Sequence, residues 1–281
     1  MTVSEVLDNH MKYIQITKSK GTYKFHIGNV KRMKEYFKDL DVKKMNREKV
    51  LDFIVYLRKK NEQISNTTIN KYVQLLYRAL RDECNISINL DKLPENKKMI
   101  KTVNNHIITK IFDYFGSSFY PEHLRNNLMF RLLLDTGIRI SELLSLKISN
   151  ININDHSILI TETKTKVERI VFYTEATSNL LNKYIIRENI QDYIFIDLTT
   201  RKPIKLDRIQ KICQNLQKTL NISDSVSPHK WRHTFATNFI NHNGNLEVLR
   251  TLLGHTSITT TQRYLHVNTQ KLRDEYFRIY R

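Results

Sequence analysis

Apolar side chains recur at helical spacing through most of the chain, and in its first hundred residues they predict four helices. The clearest stripes, each confined to one side of a helix, run over Tyr23–Phe37, Val50–Leu57 and Ile69–Leu80. Weak periodicity around Pro94 then predicts a linker. We therefore expect a helical domain over residues 1–85, a linker over 86–103, and a second domain over 104–281.

Short β-rich runs interrupt the helices of the second domain, and they cover Ile148–Ile153, Ser157–Ile160 and Arg169–Phe172. The polar segment 161–167 between the last two runs predicts a hairpin turn. Helices are predicted over 122–136, from near Arg139, and then over 175–187, 205–219, 228–241, 245–253 and 257–265, followed by a C-terminal segment, 268–280. The predicted fold is therefore mainly α-helical with a small antiparallel β-sheet.

The charge balance points to a polyanionic partner. The chain has 46 lysines and arginines against 28 aspartates and glutamates, a net charge of +18. Nucleic acid is the first candidate for such a basic surface, and an anionic membrane the second. However, no apolar run approaches the ~20 residues of a spanning helix, and the first residues lack the apolar core of a secretory signal. Two distant cysteines fit no disulfide framework. We expect a cytoplasmic protein with reduced thiols and no membrane association.

Polar and basic side chains occupy the face of the third stripe's helix that lies opposite its apolar side: Thr67, Asn70, Lys71, Gln74, Arg78 and Arg81. Lys24 and Lys31 lie similarly on the helix of the first stripe. Amide, hydroxyl and basic groups are the side chains that contact phosphates and base edges in DNA grooves. For a single helix, a solvated surface face explains the pattern equally well, but several such faces in one basic module favour DNA binding.

Several polar side chains of the second domain lie next to predicted helix ends. His229 and Arg232 are three residues apart at the start of a helix, so they share a face. Arg139 and His255 each follow a glycine that is expected to end a helix, and Tyr264 lies on the next predicted helix. Arginines neutralise phosphate oxygens, histidines transfer protons, and a tyrosine hydroxyl can form a covalent phospho-enzyme. Together these residues suit an attack on a phosphodiester.

The sequence does not predict a metal site or a cofactor. His229 and His233 are four residues apart, as zinc-binding histidines can be, but the glutamate of the zincin motif is missing and no carboxylate or thiolate cluster supplies further ligands. A P-loop for ATP is also absent from the sequence. Glu142, three residues after Arg139, is expected to orient that arginine through an ion pair, and Trp231 is expected to pack in the core.

Three sequence runs resemble, in the right order, the catalytic boxes of the tyrosine recombinases, also called the phage integrase family. They are TGIRISEL from Thr136 to Leu143, SPHKWRHTFAT from Ser227 to Thr237, and LLGHTSITTTQRY from Leu252 to Tyr264. The pair His266–Val267 follows as in Xer-type members. The resemblance covers essentially the whole chain. It implies an N-terminal four-helix core-binding domain, which is SAM-like, and a catalytic domain that ends in a C-terminal exchange segment.

The resemblance also implies a role for each residue of the boxes. Tyr264 would attack the scissile phosphate, giving a 3′-phosphotyrosyl link and a free 5′-hydroxyl. Arg139 and Arg232 would hold the phosphate oxygens and stabilise the transition state. His229 would be the proton-transfer partner of the tyrosine, and His255 would donate a hydrogen bond to the phosphate. Neither ATP nor a metal would be needed, because the phosphotyrosyl bond retains the energy of the phosphodiester.

A lysine on the hairpin turn would protonate the leaving 5′-oxygen. The glycines that often flank this lysine in the family are absent here. Aligning Glu168 and Arg169 with the family's acidic–basic pair selects Lys164 as the acid. Lys166 lies on the same turn and is the alternative.

We therefore expect a site-specific DNA recombinase of the two-domain, Xer-like type, since the basic module begins almost at the first residue. Such a protein would act in the bacterial cytoplasm, at the nucleoid, or for a phage. Its expected partners are double-stranded recombination sites, further copies of itself in a tetramer that exchanges residues 268–280, and an accessory or partner recombinase. Residues 268–280 could instead pack on their own domain. A type IB-like topoisomerase and a non-catalytic DNA-binding protein are the alternative functions.

Overall fold

In the computed structural model, the chain forms two compact units, Met1–Lys98 and Met99–Arg281. The structure describes residues 1–95, 100–161, 168–255 and 260–261 of the sequence. The predicted hairpin turn beyond residue 161, the C-terminal segment 268–280 and nearly all of the predicted helix 257–265 lie outside the described residues.

Within residues 1–95 the structure contains four α-helices, as the sequence predicted: α1 (Val3–Thr17), α2 (Lys20–Phe37), α3 (Arg47–Lys60) and α4 (Asn66–Cys84). Asn46 caps α3, because its side chain accepts a hydrogen bond from the backbone N–H of Lys49. Thr2 and Glu5 form a capping box at the start of α1. Side chains thus satisfy the first backbone donors of these helices.

The apolar stripes of α2, α3 and α4 meet α1 in a shared core that includes Met33, Phe53 and Leu76, each fully buried. The first turns of α2 do not follow this pattern, since Ile27 is about half exposed. Residues 86–95 contain no helix or strand, but their apolar side chains pack against the same core. The first half of the predicted linker is therefore part of the N-terminal unit's packing.

Seven α-helices lie in the described part of the second unit: α5 (Asn105–Gly116), α6 (Pro121–Thr136), α7 (Ile140–Leu144), α8 (Glu175–Arg187), α9 (Leu206–Thr219), α10 (Pro228–Asn241) and α11 (Leu246–Leu253). Three strands, β1 (Ile151–Asn152), β2 (Ser157–Ile160) and β3 (Arg169–Phe172), form an antiparallel sheet in the order β1-β2-β3. In its register Ile158 pairs with Ile151 on one side and with Val171 on the other.

The predicted strand Ile148–Ile153 is wrong in its first half. Residues Ile148–Asn150 form a 3₁₀ turn, and only the two residues of β1 pair with β2. The cause is Asn150, whose side-chain oxygen accepts the backbone N–H of Lys147 while its own N–H bonds to the carbonyl of the same lysine. A short polar side chain that hydrogen-bonds to nearby backbone competes in this way with strand pairing.

Trp231 is fully buried in the core of the second unit, which confirms its predicted packing role. Its ring lies against Phe112 and Phe130, and its indole N–H donates to the carbonyl of Val226 over 3.0 Å. Because Trp231 precedes Arg232 directly, this contact fixes the first turns of α10. A smaller apolar cluster that includes Ala236 and Leu249 packs α10 against α11.

Candidate active site

Helix α6 ends at Gly137, whose φ of +61° places it in the left-handed region. A side chain there would be strained, and its Cβ would lie 2.2 Å from Cδ1 of Phe235 on α10. The glycine therefore allows the end of α6 and the middle of α10 to approach closely. The predicted helix stop at this residue is confirmed, and Arg139 follows two residues later as the N-cap of α7.

Arg139 is held by two different acceptors. Its Nη1 lies 2.8 Å from Oε1 of Glu142, and its Nη2 donates over 3.1 Å to the carbonyl of Gly254 at the end of α11. Glu142 also accepts the backbone N–H of Arg139 over 2.8 Å. The predicted ion pair between the two residues is confirmed. The side chain of Arg139 keeps 23% of its surface exposed, so its guanidinium is fixed but remains accessible.

Arg232 lies deeper, with 6% of its surface exposed. Its Nη1 donates to the carbonyl of Gly137 and its Nη2 to the carbonyl of Leu253, both over 2.6 Å. Nη2 also lies 3.0 Å from Nε2 of His255. The carbonyls come from the ends of α6 and α11, so Arg232 joins the three sequence runs singled out above.

His255 follows Gly254, the left-handed residue that ends α11 as predicted. A guanidinium can only donate hydrogen bonds, so Nε2 of His255 accepts from Arg232. Nδ1, 2.8 Å from Oγ1 of Thr261, then carries the proton and donates it. The backbone carbonyl of His255 is fixed in turn by Nη1 of Arg250. Thr261 is fully buried and was not identified from the sequence, although it stands only three residues before Tyr264.

Glu142 bridges two arginines. Besides Arg139, it binds Arg169 at the start of β3 through a bidentate pair of 2.6 and 3.1 Å, and both of these side chains are almost completely buried. Burial alone would raise the pKa of Glu142, but hydrogen bonds from both arginines and the charge of Arg169 outweigh it and hold the pKa below its ordinary value. Glu142 is therefore a buried carboxylate that stays ionised.

Of the six predicted catalytic residues, four lie in the part of the chain that the structure describes. Arg139, Arg232 and His255 are brought together by the contacts above. His229 lies exposed in the first turn of α10, and its ring makes no hydrogen bond to any residue that the structure describes. Lys164, its alternative Lys166, and Tyr264 lie outside the described residues. Among the residues that the structure describes, no group of three or more potential metal ligands occurs.

Part of the predicted DNA-binding face is open. On α4, Lys71, Arg78 and Arg81 are exposed and Gln74 is half-buried, and Lys24 and Lys31 are exposed on α2. The ammonium of Lys71 lies 5.8 Å from the centre of the exposed Phe25 ring. These cations can reach a polyanion.

The N-terminal turns of α4 differ from the prediction. Asn70 is 5% exposed; its amide donates to the carbonyl of Leu93 and to Glu95, and its side-chain oxygen accepts the N–H of Leu93. Thr67 donates to Glu95 as well. These hydrogen bonds lower the pKa of Glu95. Asn70 therefore holds the segment after α4 and is not available to contact a DNA groove. Helical periodicity could not reveal this role, because the role depends on where residues 93–95 pack.

Two family models match the chain: the Phage integrase family over residues 101–271 and the Phage integrase SAM-like domain over residues 2–99. Tyrosine recombinase XerA of Saccharolobus solfataricus is 33% identical over 217 residues, which cover 77% of this chain and 69% of the relative. None of the helices in the described part of the chain has the length and apolar character needed to cross a membrane.

Two solved structures share the fold. The Tn1549 transposon integrase in complex with transposon right end DNA superposes with a TM-score of 0.83 at 19% identity, covering 100% of both chains. The XerH site-specific recombinase bound to a palindromic difH substrate gives 0.76 at 19% identity, covering 97% of this chain and 84% of XerH. Because the model of the catalytic domain matches more than half of the sequence and the SAM-like model matches most of the rest, this chain belongs to the phage integrase family, the tyrosine recombinases.

Proposed function

We propose that this protein is a site-specific DNA recombinase that cleaves and rejoins DNA through a 3′-phosphotyrosyl intermediate. Members of the tyrosine recombinase family cleave and rejoin DNA, and this chain is one of them. The observation that carries the mechanism is the convergence of Arg139, Arg232 and His255 at the ends of α6 and α11.

The arrangement suits a phosphate in a trigonal-bipyramidal transition state. Carbonyls and Glu142 fix Arg139 and Arg232 before any substrate arrives, so the two guanidinium groups need little reorganisation when negative charge develops on the non-bridging oxygens. The proton on His255 faces Thr261 in this arrangement, so its predicted hydrogen bond to the phosphate requires the ring to change partners. For Nε2, which lies next to Arg232, to donate to the phosphate, it must first carry a proton, so we expect the ring to change its tautomer or to become protonated when DNA binds.

In the proposed cleavage step, the phenol oxygen of Tyr264 forms a bond to phosphorus while the bond from phosphorus to the 5′-oxygen breaks. His229 is the partner that takes the phenol proton, and its exposure on the first turn of α10 suits contact with a nucleophile from another segment. A proton from Lys164, or from Lys166, neutralises the leaving oxygen. Rejoining reverses these transfers. The step is balanced without a metal or a nucleotide cofactor.

DNA would be held by a face of the N-terminal unit on which most side chains are exposed cations. We retain Lys24, Lys31, Lys71, Gln74, Arg78 and Arg81 as proposed contacts, and assign Thr67 and Asn70 to the support of residues 93–95. A domain of residues 1–85, a connecting segment 86–103 and a catalytic domain 104–281 remain the proposed layout. Relatives solved with transposon-end and difH DNA support a duplex recombination site as substrate. A tetramer that exchanges residues 268–280 is likewise proposed from the family resemblance.

The decisive experiment uses a duplex enriched from random-sequence DNA by binding to the full-length chain. The wild-type chain should form a covalent protein–DNA adduct that survives denaturing electrophoresis, whereas Tyr264→Phe should bind the duplex equally well and form none. Tyr120→Phe, which alters an exposed tyrosine outside the site, is the matched control and should react like the wild type. An adduct from Tyr264→Phe would refute the assignment of the nucleophile. Binding without any wild-type adduct would leave the non-catalytic DNA-binding alternative.

A further inference from the structure

Arg169 lies at the start of β3, and its side chain is 3% exposed. In the resemblance to the recombinase family, Arg169 serves only to align the hairpin lysine. Its guanidinium makes contacts in three directions: Nη1 and Nη2 bind the carboxylate of Glu142, Nε donates over 2.7 Å to the carbonyl of Leu252, and one face packs on Gly254. A Cβ added to Gly254 would lie 3.0 Å from Nη1 of Arg169.

These contacts join the elements that carry the two catalytic arginines and the histidine. Glu142 is the residue that orients Arg139. The last turn of α11 supplies the carbonyl of Leu253 to Arg232 and that of Gly254 to Arg139, and it leads directly into His255. A shift of Arg169 would therefore change both the carboxylate behind Arg139 and the helix end that holds Arg232.

We propose that Arg169 is a positioning residue for the cleavage reaction, acting through Glu142 and the end of α11 to fix the two catalytic arginines and His255. The inference rests on the proposed function. An arginine is required because a planar fork can bind a carboxylate with two N–H groups and a carbonyl with a third. The ammonium of a lysine keeps the charge but lacks the planar fork that makes the bidentate pair with Glu142.

A simpler role for Arg169 is to anchor β3, the strand that follows the predicted turn with Lys164 and Lys166. The two roles differ in the chemistry they would impair. Loss of the acid lysine slows only the protonation of the 5′-oxygen, and a 5′-bridging sulfur removes that requirement because a thiolate leaves without a proton. Displaced arginines impair charge stabilisation at the non-bridging oxygens, which a bridging sulfur does not relieve.

The experiment measures adduct formation on the enriched duplex and on its 5′-bridging-sulfur counterpart. Arg169→Lys should lose about 100-fold in rate on the normal duplex, and the loss should persist on the sulfur duplex. Lys164→Ala and Lys166→Ala are measured in parallel, because the variant that lacks the general acid should regain its rate on the sulfur duplex. The fold control is Arg125→Lys, another buried arginine, which donates to Ile196 and Asn126 outside the site; its rates should stay near those of the wild type.

Three results would overturn the inference: a wild-type rate for Arg169→Lys, rescue of its loss by the sulfur duplex, or an equal loss in Arg125→Lys. A separate measurement does not depend on catalysis. Nitrogen NMR of the His255 ring, assigned by comparison with His255→Gln, should report a changed hydrogen bond at Nε2 in Arg169→Lys but not in Arg125→Lys. If the wild type forms no adduct, the proposed function fails, while an unchanged His255 spectrum in Arg169→Lys would count against the positioning role itself.

Discussion

Replacing Glu142 by glutamine tests whether its buried carboxylate holds the site together. The substitution preserves the size of the side chain but removes its charge and turns one acceptor into a donor. The carboxylate accepts four hydrogen bonds, one from the backbone of Arg139, one from its side chain and two from Arg169. In the variant, at least one N–H group of these arginines would face the side-chain NH₂ group of the glutamine, and two donors cannot form a hydrogen bond.

The expected cost follows from burial. The side chains of Glu142 and Arg169 are 1% and 3% exposed, so the glutamine variant leaves a buried guanidinium without its counter-ion. Removing one partner of such a pair costs about 3–5 kcal/mol, and the remaining amide oxygen places this case near 3 kcal/mol. For a unit of this size, that loss corresponds to a fall in Tm of roughly 6–12 °C.

Tryptophan fluorescence is the appropriate assay, because the chain has a single tryptophan and Trp231 is buried in the core of the second unit. Its signal therefore reports the unfolding of the unit that contains Glu142. Urea and thermal unfolding of the full-length wild type and Glu142→Gln should be compared at pH 7. The matched control is Glu247→Gln, which removes an exposed i,i+3 pair with Arg250 and should leave the unfolding free energy close to that of the wild type.

The same variant predicts a change in pH dependence. The folded-state pKa of Glu142 lies below its ordinary value of 4.5, so its contribution is fully present above that pH and is lost as the pH falls through the folded-state pKa. The wild type should therefore lose more stability than Glu142→Gln between about pH 5 and pH 3. A loss below about 1 kcal/mol at pH 7, as exposed pairs give, together with parallel pH curves, would refute the reasoning.

Two further predictions concern the backbone and the DNA face. Gly137→Ala should destabilise the second unit by about 1–3 kcal/mol in the fluorescence assay and slow adduct formation, because the added Cβ would collide with Phe235 and the backbone there has a positive φ. The control is Gly116→Ala, where an added Cβ meets nothing within 4 Å, so its stability and rate should stay near those of the wild type. Equal effects of the two substitutions would contradict this account. Lys71→Ala should weaken DNA binding and reduce the salt slope by about 1, whereas Asn70→Ala should leave the slope unchanged and lower the stability of the N-terminal unit. Affinities measured over a salt series would contradict the assignment if the two slopes changed alike.

The regular elements were largely predictable because their signals are local. Short β-rich runs located β2 and β3 to the residue, and the glycines at 137 and 254 marked helix ends by their freedom at positive φ. The pairing of Arg139 with Glu142 follows from a three-residue spacing. Each of these features depends on residues within a few positions of one another.

The remaining features depend on contacts between distant positions. Arg169 binds Glu142 across 27 residues and Leu252 across 83, and no periodicity encodes such pairings. Helical periodicity places Asn70 on the polar face of α4, but in the structure the segment around Leu93 covers its side chain. Thr261 is the exception, since its distance of six residues from His255 is short, and its place beside two candidate catalytic residues could have drawn attention to it.

Most of the acceptors that hold Arg139 and Arg232 are main-chain carbonyls, those of Gly137, Leu253 and Gly254. Every amino acid carries a carbonyl, so point substitutions cannot delete these acceptors and can only displace them by altering the local backbone. The hydrogen bond from Arg232 to residue 253 therefore does not depend on which side chain that residue carries. Gly137 and Gly254, in contrast, are constrained by their positive φ angles. Substitutions at Leu253 can therefore leave both guanidinium groups anchored, provided that the two helix ends keep their turns.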